Sequence, residues 1–337
     1  MPDVPVRAFG MLFYRRIRMA FDYVKKVRIC EVGLRDGIQN EKGAILSVED
    51  KVELLRGMID AGYKVIEVGS FMHPVKVPQM ANTDEVYKAM QAYDIPDDVE
   101  LRALIPNKRG VDRAVACGCK KVKLNVSASL GHNLANLNRT PAESVAGFAE
   151  AVDAAKSNGL EISGSISMAY GSPWDDDIPI DEVKKIIEAY MAVDITEISL
   201  SDASGMAYPS QVYNICSEVR KAYPDNTWWL HFHNTRGLAI ANIIAGMQAG
   251  MNQFDGSLSG VGGCPFVPGA AGNVATEDVI HCLDEMGVET GIDNDKVIAL
   301  SRRMVEMIGH AADGYVLKAG QSKDLKLPLP VRQPKAK

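Results

Sequence analysis

The chain has 337 residues, 47% of them hydrophobic and 24% charged, with a formal net charge of −6. That balance fits a soluble globular protein with one large α/β domain or two small ones, and its acidity argues against nucleic acid as the main partner. No run reaches the roughly 18 apolar residues that a membrane span requires.

Residues 1–22 carry Arg7, Arg15, Arg16 and Arg18 with little acid, a faint likeness to a transit peptide without the apolar core of a secretory signal. Met19 is an alternative start, and the segment is expected to lie outside the fold as a loose extension. From residue 26 the pattern alternates. Short β-branched runs fall at 26–32, 64–68, 100–105, 120–126, 161–167, 196–200, 227–232 and 252–258. Helical patterns lie between them near 48–61, 82–93, 108–117, 141–158, 180–193, 208–223, 236–249 and 274–286. Ser47, Thr140 and Ser210 suit helix N-caps or first turns. Gly62, Gly118, Gly159, Gly250 and Gly287 stand at or just past helix ends.

Eight strands alternating with eight helices predict a (β/α)8 TIM barrel over residues 23–290, with an extra C-terminal helical segment and tail over 291–337. A doubly wound open sheet is the alternative, but the first strand–helix turn lacks G-x-G-x-x-G. Of the six cysteines (30, 117, 119, 216, 264 and 282), only Cys117 and Cys119 are close, and no second pair completes a zinc site. So sparse a set implies reduced thiols and a cytoplasmic location. Most are expected to pack as small hydrophobes.

In a barrel of this kind the chemistry sits at the C-terminal ends of the strands. After the first strand come Glu31, Arg35, Asp36 and Gln39, with Gly33 and Gly37 permitting a tight loop. Asp36 offers a carboxylate to a metal, and Arg35 a fork of donors to an oxyanion or enolate. Glu67 ends the second strand, facing the barrel mouth or forming a buried salt bridge to an arginine such as Arg35. His73, in a proline-bounded loop, reads as a surface residue. Asn125, Ser127 and Ser129 end the fourth strand and Ser167 the fifth, as pocket lining or ordinary strand-end hydrogen bonding. Asp202 ends the sixth, placed for acid–base work or for capping its loop.

His231 and His233 end the seventh strand two residues apart, so they project to one side. A glycine-rich loop over 259–273 then carries Cys264, in surroundings that fit a reactive thiol, and ends at Asn273, an N-cap, a metal ligand or both. Asp36, His231, His233 and Asn273 thus come from strand ends one, seven and eight, which are neighbours in a closed barrel. Two imidazoles and two oxygens suit a divalent cation, Mg²⁺ or Mn²⁺, better than Zn²⁺.

The segments EVGLRDGIQNEK (31–42), SFMHPVKVPQM (70–80), LHFHNTRG (230–237) and GVGGCPFVPGAAGNVATED (260–278) resemble 3-hydroxy-3-methylglutaryl-CoA lyase, of the DRE-TIM metallolyase superfamily. The likeness runs in order over roughly residues 26–290. It implies cleavage of 3-hydroxy-3-methylglutaryl-CoA, or a related tertiary hydroxyacyl-CoA, to acetyl-CoA and a keto acid. It implies that Asp36, His231, His233 and Asn273 bind the metal and that Arg35 polarises the thioester carbonyl, holding substrate together with Gln39. Cys264 would sit on the closing loop, and Glu67 and Asp202 would assist proton transfer or support the site from behind. A homo-oligomer, dimer or tetramer, is also implied.

Five positions depart from the family pattern. Asn234 stands for the usual Asp, Leu130 for a Glu, Ser201 and Ala203 flank Asp202 where Gly and Thr are usual, and Ser172 replaces a Cys before Pro173. Trp174 and the acidic run Asp175 to Asp177 follow it. The metal set is complete while the substrate pocket is altered, so a substrate with a different alkyl arm is an open alternative. Aldol cleavage of a 4-hydroxy-2-oxo acid, a Claisen-type acyl transfer and a catalytically silent metal-binding barrel are the competing readings. Lys42, Lys76, Lys108, Arg139 and Arg236 are candidate CoA contacts or solvated surface charge.

Overall fold

The computed structural model describes residues 22–325, apart from residues 42, 44, 175–177, 264–268, 270 and 312. Residues 1–21 of the expected extension, Cys264 and the tail from 326 therefore lie outside the described residues.

Eight parallel strands close into a TIM barrel, β1 pairing with both β2 and β8. They are β1 Arg28–Glu31, β2 Val65–Ser70, β3 Glu100–Ile105, β4 Lys121–Ser127, β5 Glu161–Ser167, β6 Glu197–Asp202, β7 Thr227–Phe232 and β8 Gln253–Gly256. Each lies within two or three residues of its expected ends. The outward faces of β4, β5 and β6 are built from Val122, Leu124, Val126, Ile162, Ile166, Ile198 and Leu200, which join the apolar layer beneath the helices. This outward layer is the main core. Gly164 is the gap in it, filled by the ring of Tyr190, which stacks on Phe148 at a centroid distance of 4.4 Å.

The inward faces of the same strands carry no apolar side chain. They present Lys121, Lys123, Asn125 and Ser127, then Ser163, Ser165 and Ser167, then Glu197, Ser199 and Ser201. Barrel interiors are ordinarily filled by branched apolar residues. Here the lower lumen is plugged by Trp229 instead, 1% exposed, with Arg102 stacked over its ring at 4.8 Å and its indole N–H donated to Glu197 at 2.9 Å.

The helical layer comprises α1 Val48–Ala61, α2 Thr83–Met90, α3 Lys108–Ala116, α4 Leu130–Leu137, α5 Pro141–Ala146, α6 Phe148–Ser157, α7 Ile180–Met191, α8 Pro209–Ala222, α9 Ala239–Gln248, α10 Thr276–Glu285, α11 Asn294–Ile308 and α12 Tyr315–Ala319. Ser47 and Thr140 each close a full capping box on α1 and α5. Ser210 lies in the first turn of α8. All five helix-end glycines singled out from the sequence have positive φ.

Two helical expectations change. The single helix expected over 141–158 breaks at Gly147 into α5 and α6. A helix not among those expected, α4, follows β4, started by Ser129, whose hydroxyl accepts the His132 N–H. The C-terminal helix ends at 308, where Gly309 caps it with φ 77°. It packs so closely on α1 that a Cβ on Gly57 would lie 2.4 Å from Leu300. Among the described residues no helix is long and apolar enough to cross a membrane.

Candidate active site

The site begins at the end of β1, where Gly33–Gly37 form a single π-helical turn. Such turns concentrate at functional sites because they re-aim side chains within one turn. Glycine is needed here for space: a Cβ on Gly33 would lie 2.7 Å from Glu31, and one on Gly37 would lie 2.9 Å from Ser257. The turn is pinned by Glu31, fully buried, which accepts from the Gly33 and Leu258 backbone N–H groups at 2.8 Å each and from Thr276 at 2.7 Å. Burial pushes the Glu31 carboxyl up to about 7, against those donors.

The turn presents Arg35 and Asp36 to the mouth. Arg35 donates through Nε to Glu67 Oε1 and through one terminal nitrogen to Asp36 Oδ1. Its other terminal nitrogen bonds to none of the described residues. Glu67 is thus the buried salt-bridge partner of Arg35, one of the two roles its position allowed. It is followed at once by a register irregularity between β2 and β3, a device common beside active sites.

His231 and His233 project from the end of β7 toward Asp36, their rings 5.2 Å apart. Asp36 Oδ2 lies 3.3 Å from His233 Nε2 and 3.8 Å from His231 Nε2. Asn273 joins them through its side-chain amide, 2.8 Å from the same carboxylate oxygen. Cis ligands of an octahedral cation about 2.1 Å away stand about 3 Å apart, so the spacing of Asp36 and the two imidazoles suits a small divalent ion. These three residues form a group able to hold a metal, their ligand atoms all within 4.8 Å of one another. As placed, Asn273 turns its amino group to Asp36 and to the Val261 carbonyl at 3.1 Å. Ligation would need its oxygen instead, a half-turn of the amide.

Behind these residues runs a closed ring of charge. His231 Nδ1 is 3.1 Å from Asp255 Oδ2, which fixes the ring and leaves Nε2 facing Asp36. Asp255 Oδ2 lies 3.8 Å from Lys123 Nζ, and Lys123 donates to Glu67 Oε2 at 2.9 Å. Glu67 returns the circuit to Arg35. Burial alone would raise the Asp36, Glu67 and Asp255 carboxyls. Arg35 and the histidines hold Asp36 well below the ordinary range, Arg35 and Lys123 hold Glu67 down, and Lys123 with His231 does the same for Asp255. Lys123 is raised by Glu67 and Asp255 despite its burial. The three carboxylates, Arg35 and Lys123 therefore all stay charged.

Asp202 is near but differently used. Its carboxylate accepts from Ser204 Oγ at 2.8 Å and from the Met206 and Ala207 N–H groups, while its carbonyl accepts the His233 N–H at 3.2 Å. These are contacts that cap its loop. Gln39 follows the π-helical turn with its carbonyl oxygen buried and without a partner among the described residues. Its neighbour Asn40 reaches across to the Gly263 carbonyl at 2.7 Å. Cys264 lies outside the described residues. Of the candidate CoA contacts, Arg236 is held by the Ser204 and Gly205 carbonyls and Lys108 pairs with Asp112. His73 is exposed, and Cys30, Cys117, Cys119 and Cys216 are buried, as expected.

Lys123 and Asp255 were not among the residues singled out from the sequence. The available signal was alternation: in Lys121-Val122-Lys123-Leu124-Asn125 the apolar residues share one face, so the lysines must share the lumen. The same parity places Asp255 inside β8.

Residues 26–304 match the HMGL-like family. The chain is 39% identical over 304 residues to an (R)-citramalyl-CoA lyase of Chloroflexus aurantiacus, covering 88% of this chain and 96% of the relative. It is 36% identical to the hydroxymethylglutaryl-CoA lyase YngG of Bacillus subtilis, covering 85% and 95% respectively. Among solved structures it is similar to an HMG-CoA lyase from Acinetobacter baumannii in complex with coenzyme A and 3-methylmalate. That likeness has a TM-score of 0.85 and 37% identity, over 91% of this chain and 98% of the other.

Proposed function

The chain belongs to the HMGL-like family, and on that premise we propose that it is a divalent-metal-dependent carbon–carbon lyase. Its substrate in this reading is 3-hydroxy-3-methylglutaryl-CoA or a related tertiary hydroxyacyl-CoA, and its products are acetyl-CoA and a keto acid. The observation that carries the proposal is the convergence of Asp36, His231 and His233 on one point directly beside Arg35. A retro-Claisen cleavage needs positive charge at two oxygens: the tertiary alkoxide that collapses to a ketone and the thioester carbonyl that becomes an enolate.

Asp36, His231 and His233, with Asn273 after its amide turns, would hold Mg²⁺ or Mn²⁺. Such a cation supplies the charge that stabilises oxyanion character at the hydroxyl. Arg35 serves the second oxygen. Its Nε and one terminal nitrogen are fixed by Glu67 and Asp36, which leaves the remaining terminal nitrogen to donate to the developing enolate. A guanidinium so braced does not reorganise as charge moves, and this preorganisation is the largest catalytic effect available to such a site. Glu67 orients Arg35, and Asp202 shapes the loop that carries Ser204. Gln39 lies at the rim with a buried acceptor, suited to the substrate hydroxyl. Cys264, on the glycine-rich loop, would shield the enolate from water until it takes its proton.

The test is acetyl-CoA release by metal-loaded protein, offered 3-hydroxy-3-methylglutaryl-CoA and citramalyl-CoA. Metal-dependent cleavage of either, lost in His233→Ala, supports the proposal. Release of the same size from chelated protein, or undiminished in His233→Ala, would sink it.

A further inference from the structure

The lumen wall formed by β4, β5 and β6 has the opposite polarity to an ordinary barrel interior. Register places this wall beside the metal centre: Ser201 stands opposite His231, Ser165 opposite Ser199, and Ser127 opposite Ser167. Residues opposed in register on parallel strands share a face. The wall therefore runs unbroken from His231 round to β4.

It has a sealed floor and an open top. Ser163 and Ser199 are 2% exposed, and their hydroxyls lack partners among the described residues. One step higher, Ser165, Ser167 and Ser201 are each 7% exposed, so the mouth reaches this level and stops. Ser167 is engaged by Asn125 at 3.3 Å. The hydroxyls of Ser165 and Ser201 make no hydrogen bond to the described residues, although both side chains are more than nine-tenths buried. The level of the wall that the mouth reaches is thus lined with small side chains, among them the Ser165 and Ser201 hydroxyls that the described residues leave unbonded.

We propose that this wall is a binding subsite for an uncharged, hydroxylated substituent on the carbinol carbon of the substrate. The proposal rests on the lyase reading and names the arm that the substrate carries. An alkyl arm in this position would strip the Ser165 and Ser201 hydroxyls of water and return nothing, the situation that polar pockets reject most strongly. A carboxylate arm fits no better. The nearby cations, Arg35 and Lys123, are already committed to Asp36, Glu67 and Asp255. A hydroxyl can both donate to and accept from serine, so it satisfies the wall without asking for charge.

The experiment offers Mn²⁺-loaded protein three tertiary hydroxyacyl-CoAs that differ only in the arm: methyl, hydroxymethyl and carboxymethyl. Cleavage is read as kcat/KM, and binding is read by calorimetry in the same preparations. The hydroxymethyl substrate is expected to exceed the methyl one at least about tenfold, equivalent to roughly 1.4 kcal/mol. The carboxymethyl substrate is expected to fall below it. Ser165→Val and, independently, Ser201→Ala should each bring the hydroxymethyl-to-methyl ratio toward one. A methyl substrate cleaved as well as the hydroxymethyl one, or a ratio that neither variant moves, overturns the subsite and leaves the lyase reading standing. No cleavage of any arm sinks the lyase reading. The calorimetric ratio then judges the subsite by itself, with preference for the hydroxymethyl compound upholding it and equal binding overturning it.

Discussion

Replacing Lys123 by methionine keeps the length of the side chain and removes its charge from the lumen. Lys123 Nζ stands 2.9 Å from Glu67 and 3.8 Å from Asp255, with side-chain exposures of 3%, 0% and 1% for the three residues. With an effective dielectric of about 20, those separations correspond to attractions of about 6 and 4 kcal/mol, set against desolvation of several kcal/mol per ion. The net loss is smaller than the sum, because Glu67 keeps Arg35 and Asp255 keeps His231. Breaking a buried pair by removing one partner costs about 3–5 kcal/mol, and the lower end is expected here. Adding Glu67→Gln to Lys123→Met removes one orphaned charge and should return about 1–2 kcal/mol, a coupling that only contacting residues show. Urea unfolding of the four proteins of the cycle, followed by far-UV circular dichroism, gives each value. A Lys123→Met cost below about 1 kcal/mol, or strict additivity in the double variant, would refute the closed ring of charge.

Asp255→Asn keeps the shape but weakens the grip on His231, so Mn²⁺ affinity measured by calorimetry should fall about 10–100-fold; unchanged affinity would mean that Asp255 does not orient the imidazole. Burial pushes Glu277 up to about 7, against hydrogen bonds from Ser301 and Ser259. A raised folded-state pKa gives stability that is complete below the unfolded carboxyl range and is lost as pH climbs through about 7. Glu277→Gln should therefore flatten the decline in stability between about pH 4.5 and 7, leaving the share owed to Glu31. Denaturation midpoints across that window would show it, and an unaltered slope would count against a protonated Glu277. Gly164→Ala puts a methyl group 2.8 Å from the Tyr190 ring and should cost about 1–3 kcal/mol by overpacking. Because Tyr190 also donates to the Ser165 carbonyl at 3.0 Å, a full thermal-shift series on this variant should show the loss, and no shift would mean that the ring moves freely.

The barrel was legible because its outward faces obey a simple rule. Val122, Leu124 and Val126 alternate with polar residues, and so do Ile198 and Leu200, so each strand declares its buried side. The helix α4 did not declare itself. Leu-Gly-His-Asn carries a glycine and a poor helix former in its first turn, and its main signal is the Ser129 cap. In the site, Asp36, His231 and His233 were legible because strand ends and two-residue spacing bring them together by geometry alone. Lys123 and Asp255 needed partners from β2 and β7, far off in the chain, before their charges made sense. A lysine read locally is a surface residue; only barrel closure turns it inward onto Glu67. The loop-capping role of Asp202 was equally open, since the choice depends on which backbone groups its loop brings back, at Met206 and Ala207.

The segregation of apolar residues to the outside of the strands and polar ones to the lumen separates two kinds of selection. Folding depends on the shell between strands and helices, where Leu124, Ile166 and Leu200 lie. Substrate choice depends on the lumen, where Ser165 and Ser201 lie one residue away on the same strands. A change at Ser165 or Ser201 alters what the enzyme recognises and leaves the shell untouched, while the even neighbour, Ile166 or Leu200, bears on whether the chain folds. A lineage with this arrangement can exchange one substrate arm for another by single substitutions without passing through unfolded intermediates, so divergence of specificity among its relatives needs no change of scaffold.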